Sequence, residues 1–157
     1  MIVRKFVKED LSQVLDLCRE VRDHHIDFLN GYFVAQNDEF EKLAFLQSLE
    51  NDKITALIAS EGKDIYGFLL AEKKFSPYLE GANVVHISNF GVKKGLRGKG
   101  IGKNLMNKLF EMCEAWGTDE IRLGVFNKNV GAYKFYEDYG FEPFEQRMHL
   151  RLKKKQA

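Results

Sequence analysis

The sequence predicts a single α/β or α+β layer structure, and three observations carry that expectation. Strand-like and helix-like stretches run as one strand, two helices, three strands, then helix, strand, helix, strand, which is the order of a sheet covered by helices. The 157 residues are 45% hydrophobic and 13% aromatic, enough to bury about two-thirds of the surface the unfolded chain exposes. No internal repeat and no linker interrupts the pattern, so residues 1–157 are expected to form one domain.

Each element has its own signal. Residues 2–7 alternate as a strand, and Asp10 followed by Gln13 resembles a capping box opening a helix through about Val21. Asp38 and Glu41 repeat that signal before a second helix with Phe40, Leu43, Ala44 and Gln47. Between the two helices, residues 22–37 are aromatic, polar and irregular, as expected of a short lid facing a substrate. Residues 54–60 and 65–74 read as strands joined by the hairpin turn EGKD. A third strand, 84–92, leads into a glycine-rich turn, after which Ile101, Leu105, Leu109, Cys113 and Trp116 recur at helical spacing. Residues 120–126 form the next strand. Asn129 opens a helix that Gly140 ends, with Pro143 close behind. A last strand, 147–152, places Met148, Leu150 and Leu152 inward against outward Arg147, His149 and Arg151.

Charge and composition narrow the function. A formal net charge of +1 gives no global drive toward nucleic acid or an anionic membrane. The start MIVRKFV lacks a signal-peptide core, and no apolar run approaches the roughly 20 residues that cross a bilayer, so a cytoplasmic protein is expected. Cys18 and Cys113 sit inside amphipathic patterns and read as small core residues. His24, His25 and Asp27 lack a second cluster at fixed spacing, so no metal is expected and a substrate-facing loop is preferred.

The turn Arg97, Gly98, Lys99, Gly100, Ile101, Gly102 is the strongest functional signal. A strand, a glycine-rich turn and a helix start build a cradle whose amides face an anion, with Arg97, Lys99 and Lys103 adding charge. A P-loop would need glycine at 97 and a hydroxyl after Lys103, where Arg97 and Asn104 stand. A dinucleotide fingerprint starting at Gly98 would need its third glycine at Lys103.

Downstream, LGVFNKNVGAYKFYEDYGF holds Asn129, Ala132, Tyr136, Gly140 and Phe141. Alone, each has a local explanation: Asn129 as a helix cap, Tyr136 as core, Gly140 as a helix stop. Taken in order with Val92 and the stretch from Arg97 to Gly102, the chain resembles the GNAT N-acetyltransferase superfamily, the first block being similar to its motif A and the second to its motif B. The resemblance implies a mixed central sheet flanked by helices, with two central parallel strands splayed apart. It also implies direct transfer of acetyl from acetyl-CoA to a primary amine in a ternary complex. On that resemblance, Phe90, Gly91 and Val92 would pair with the pantetheine arm, and Arg97, Gly98, Lys99, Gly100, Ile101, Gly102 and Lys103 would hold the pyrophosphate. Asn129 matches the residue that bonds pantetheine, and Tyr136 the one that reaches the thioester sulfur.

The sequence departs from the family at three places. Gly95 replaces a frequent Gln or Arg, and Ser88 and Gly124 stand where a carboxylate is common, so the family's usual general base does not carry over. His86, expected on the same side of its strand as Ser88 by period two, is the first base to test, a hydrogen-bonded core histidine being the alternative. Glu72 on the preceding strand is a further candidate. His25 and Ser88 are expected on the acceptor side. The acceptor itself is a small-molecule amine or a peptide or protein amine. A catalytically degenerate CoA-binding regulatory module is the rival reading, and a homodimer through an exposed strand edge is an assembly such folds allow.

Overall fold

The alternating start folds as strand β1 (Ile2–Lys5), and a 3-10 turn at Lys8–Asp10 leads into helix α1 (Leu11–His25). The computed structural model describes residues 1–28, 38–76, 78 and 82–153; of the expected lid over 22–37, the start continues as α1 to His25 and a 3-10 turn at Ile26–Phe28, and 29–37 lies outside the described residues. Next come α2 (Glu39–Gln47), β2 (Ile54–Glu61), β3 (Asp64–Phe75) and β4 (Asn83–Val92). They are followed by α3 (Ile101–Trp116), β5 (Glu120–Leu123) and α4 (Val130–Asp138). The strands form one mixed sheet in the order β1-β2-β3-β4-β5. Neighbours are antiparallel as far as β4, and β4 runs parallel to β5 because α3 is the crossover between them.

Both faces of the sheet are covered, which explains the unbroken apolar run in β3. Phe68 and Leu70 pack with Phe6, Val14, Phe45 and Ile58 under α1 and α2, whereas Leu69 packs with Leu57, Val85, Leu105, Met106 and Leu109 under α3. The cysteines divide the same way, as buried free thiols, one in each core. Burial pushes the Cys18 thiol up to about 12, so it stays protonated and inert.

The two helix starts use their carboxylates differently from the expected capping boxes. Asp10 accepts two bonds from Arg4 (2.7 and 2.8 Å) and one from the Val7 amide (2.9 Å). Gln13 reaches instead to the β2–β3 hairpin, donating to the Lys63 carbonyl at 2.8 Å. Asp38 and Glu41 turn away from their own helix toward α1, where Arg22 meets Glu41 at 2.7 Å and Asp38 at 3.3 Å. At Asp38 and Glu41 the Arg22 cation of α1 takes the carboxylates from the local amides, whereas Asp10 keeps the Val7 amide and adds Arg4. Helix α1 also runs on to His25, beyond the expected stop near Val21.

Two strands differ from expectation. Strand β5 ends at Leu123 rather than at 126, because its pairing with β4 stops at Ile87 opposite Leu123. Directly beyond, β4 bulges: Leu70 pairs with Asn89 and Ala71 with Ile87, leaving Ser88 as the extra residue and bending the strand away. The expected final strand over 147–152 does not form, and Met148, Leu150 and Leu152 point outward at 90%, 84% and 88% exposure. Alternation makes a strand only where an aligned edge receives it, and this chain aligns none of its own edges with that segment.

Candidate active site

The glycine turn takes a backbone path that other residues strain to follow. Gly98 and Gly100 have φ of +76° and +83°, in the left-handed region. Gly100 is the N-cap of α3 and supplies no side-chain cap, so the first-turn amides have no partner within the helix. Gly102 permits a close approach: a Cβ there would lie 3.1 Å from the Phe90 ring and 3.6 Å from Val92 and Phe135. The turn therefore offers an anion bare amides, a helix dipole and the cations Arg97 and Lys103. Lys99 points to solvent and is the one residue of the turn that does not border the cleft.

That cleft opens where β4 and β5 part. It encloses about 600 Å³ between the β4 residues from Ile87 to Val92, the chain after Leu123, the end of α1 and the inner side of α4. The Lys93 amide donates to the Tyr66 carbonyl of the neighbouring strand at 2.9 Å. Strand alternation then turns the polar backbone groups of Val92 and Phe90 the other way, into the gap β5 has left. The Arg97 side chain reaches across to the Val92 carbonyl, its Nε donating at 3.1 Å. Gly91 keeps the opposite face close, since a Cβ there would come within 2.4 Å of Val21.

Helix α4 closes the cleft. Asn129 caps it by accepting from the Ala132 amide at 3.2 Å and also borders the cavity. Tyr136 is half-buried among Phe135, Phe141 and Phe90, with ring centroids 5.6, 5.7 and 6.4 Å away. Burial pushes its phenol up to about 12, so the hydroxyl keeps its proton throughout the neutral range. On the other side the His25 ring meets Phe126 edge-on at 6.0 Å, bridging α1 to the chain after β5. Burial first, then His24 and Arg97, hold the His25 imidazole below the usual histidine range.

The remaining candidates lie elsewhere. The Ser88 bulge breaks the period-two relation expected between it and His86. Ser88 borders the cleft and donates to the Leu70 carbonyl at 3.4 Å, whereas His86 does not border it. His86 stands in register between Glu72 of β3 and Arg122 of β5. Burial, then Lys74, lower its pKa against the pull of Glu72. Glu72 itself is 3.6 Å from Lys74 and outside the cleft. Among the described residues no group of three His, Cys, Asp or Glu side chains gathers to hold a metal, and the Asp27 side chain is outside them. No described helix is long and apolar enough to cross a membrane. Sequence reasoning missed Leu96, Phe126 and Phe135 on the cleft wall. Phe135 had a readable signal, its helical spacing from Ala132, but Leu96 and Phe126 lie in irregular chain without periodicity.

The cleft has relatives. The sequence is 35% identical over 92 residues to the L-amino acid N-acetyltransferase AaaT of Escherichia coli K12, covering 57% of this chain and 54% of that protein. The chain spans 54% to 61% of the length of the first curated relatives it matches. Its fold superposes on a tetramutant of the BH1408 protein from Bacillus halodurans with a TM-score of 0.85 and 26% identity, over 97% of this chain and all (100%) of the other. An aminoglycoside N-acetyltransferase solved with CoA has the same fold, with a TM-score of 0.72 and 18% identity over 97% and 99% of the two chains. The profile of the acetyltransferase (GNAT) family matches residues 16–141, a stretch that holds the splayed strands, the glycine turn and the Tyr136 helix, and the chain belongs to that family.

Proposed function

We propose that the protein is an acetyl-CoA-dependent N-acetyltransferase that passes acetyl to a primary amine by direct attack in a ternary complex. The observation that carries this reading is the continuous cleft from the uncapped glycine turn, along the turned-out backbone of Phe90 and Val92, to the protonated Tyr136. The named activity of the Escherichia coli relative, an L-amino acid N-acetyltransferase, supports an amine acceptor.

The amides from Gly98 to Lys103, with Arg97 and Lys103, would hold the diphosphate. The Phe90–Val92 backbone and Asn129 would receive the pantetheine amides as an added strand does. When bound, acetyl-CoA supplies an activated thioester acyl group whose sulfur needs a proton as it departs. Tyr136 holds that proton at its Oη in an apolar ring cluster, ready to donate. The Val92 amide, or its neighbour, is placed to donate to oxygen charge developing in the cleft.

The acceptor must arrive or become neutral. A lysine-like amine of pKa about 10.4 costs about 4.6 kcal/mol to deprotonate at pH 7, and an α-amine near 8 only about 1.4 kcal/mol. Among the described residues no carboxylate borders the cleft, so low-pKa amines are the easier acceptors. His25 borders the cleft and is held toward the neutral form, so it would accept the acceptor's proton, whereas His86, also held toward the neutral form, stands outside the cleft and would act only through water. Holding amine and thioester together supplies up to about 7–11 kcal/mol of the barrier, so positioning carries most of the rate.

The missing carboxylate also favours a second reading, a CoA-binding module without turnover. Calorimetry with CoA, followed by thiol release from acetyl-CoA against a panel of α-amino, polyamine and aminoglycoside acceptors, separates the two. Turnover on any amine supports the enzyme, binding without turnover supports the module, and no CoA binding overturns both.

A further inference from the structure

Helix α4 carries Tyr136 on its cleft side, yet none of its residues is fully buried. It lies against the body of the protein through half-buried rings: the Tyr139 ring meets Phe110 of α3 edge-on at 5.5 Å and Phe135 of its own helix at 5.1 Å. Apolar attraction is non-directional, so it keeps a helix close without fixing where along its neighbour it sits. A directional tie stands beside those rings. The Tyr139 hydroxyl lies 3.1 Å from the Lys103 carbonyl and 3.2 Å from Asn107 Oδ1, and its one proton is donated to that pair. Among the described residues no other side chain of α4 hydrogen-bonds to another element. Both acceptors belong to the first two turns of α3, and Lys103 also borders the cleft at the glycine turn. On the other side the tie reaches Tyr136 through the backbone, because the Tyr136 carbonyl accepts from the Tyr139 amide at 3.1 Å and from the Phe141 amide at 3.0 Å. One hydroxyl therefore links the start of α3 to the turn of α4 that bears the phenol.

We propose that Tyr139 is a positioning residue for acetyl transfer, its hydroxyl holding Tyr136 at a set distance from the anion-binding turn. This role rests on the transfer proposed above, with Tyr136 as the proton donor. A diphosphate held at the turn fixes one end of a CoA molecule, and the phenol must meet the sulfur at the other end. Proton donation needs the two heavy atoms within hydrogen-bond reach, and an ångström of misplacement can cost on the order of 100-fold in rate. Helix α4 therefore has to be indexed to α3, which ring contact alone does not do. A phenylalanine at 139 would fill the same space among Phe110 and Phe135, so what the tyrosine adds is the hydroxyl and its bond.

The test is Y139F, alone and combined with Y136F, read by kcat and KM for acetyl-CoA with the best acceptor, by CoA calorimetry, and by amide exchange over 130–138 without ligand. Y139F is expected to lower kcat about ten-fold, with KM for acetyl-CoA and CoA affinity unchanged, and to speed exchange in α4 but not in α3. Because Tyr139 acts through Tyr136, the two losses should not multiply: in the Y136F background, Y139F should make no further difference to kcat. A bond that serves structure alone would lower the thermal midpoint and leave kcat intact, and that result overturns the proposal. Unchanged exchange in α4 overturns it too, as do losses that multiply in the double variant. A parent protein that binds CoA and acetylates no amine overturns acetyl transfer and this role with it, whereas an active parent with an unaffected Y139F removes Tyr139 alone. Should Y139F fail to fold, N107A is read by the same criteria, since it takes away one acceptor of the hydroxyl and leaves every ring in place.

Discussion

Tyr136 and the glycines act at the scale of single residues, and each role has a measurable consequence. The phenol is held up to about 12 by burial, so Y136F removes the proposed proton donor while the surrounding rings Phe90, Phe135 and Phe141 keep their packing. Turnover with the best acceptor is expected to fall about ten- to a thousand-fold, with CoA affinity by calorimetry unchanged. Unchanged turnover would take Tyr136 out of the chemistry. Glycine positions divide by what a methyl group would meet. A Cβ on Gly91 would lie 2.4 Å from Val21 Cγ2 and 3.0 Å from the Phe68 ring, both in the α1 core. G91A is therefore expected to cost about 1–3 kcal/mol in urea unfolding, the usual scale of overpacking. G95A is its control: nothing stands within 4 Å of that position, and it is expected to unfold as the parent does.

At the scale of elements, α3 does its work through its first turn. A side chain at Gly102 would crowd Phe90 and Phe135 at the approach to the bare amides. G102V is expected to weaken CoA binding at least about ten-fold, or ~1.4 kcal/mol, while the thermal midpoint shifts little. A stability loss with binding intact would mean that the glycine serves packing alone. The tie between α1 and α2 rests on Arg22, whose removal leaves the largely buried Glu41 without its cation. R22A is expected to lose about 3 kcal/mol in denaturant unfolding. These elements also show what the sequence could reveal. Strands β2 to β4 and helix α3 were legible because their periodicity is long and the turns between them carry glycine or proline. The glycine turn, Asn129 and Tyr136 were legible because they are local in sequence. What escaped depends on contacts beyond the local turn: Asp10 also takes Arg4 of β1, and Asp38 and Glu41 take Arg22 of α1. Strand β5 looked three residues longer until the Ser88 bulge drew β4 away. The acceptor side stayed hidden for the same reason, since His86 and Ser88 lie two apart and the bulge separates them.

At the scale of the whole molecule, two half-buried histidines couple the stability of the fold to pH. His25 bridges α1 to the chain after β5, and His86 lies within the sheet between Glu72 and Arg122. Both are held below the ordinary histidine value, chiefly by burial. A group whose folded pKa is depressed leaves the unfolded chain binding more protons in the interval between the two values. The stability associated with the neutral rings is therefore fully present above about pH 6.5, the unfolded histidine value, and is lost as pH falls through the lower folded values. Asp10 adds a second loss at lower pH. Burial alone would raise its carboxyl, but the Arg4 bonds and the Val7 amide together outweigh that and hold it below the usual carboxylate range. The thermal midpoint is expected to stay level from pH 8 to 7, decline from about 6.5 downward, and drop again below about pH 4. H25N/H86N should flatten the first decline and leave the second, because the asparagine amides do not titrate. A first decline of the same depth in that variant would assign it to other groups. Bound CoA would oppose the decline, since ligand binds the folded cleft and not the open chain, so its stabilising effect should be read at pH 7.5, above the interval in which the two rings titrate.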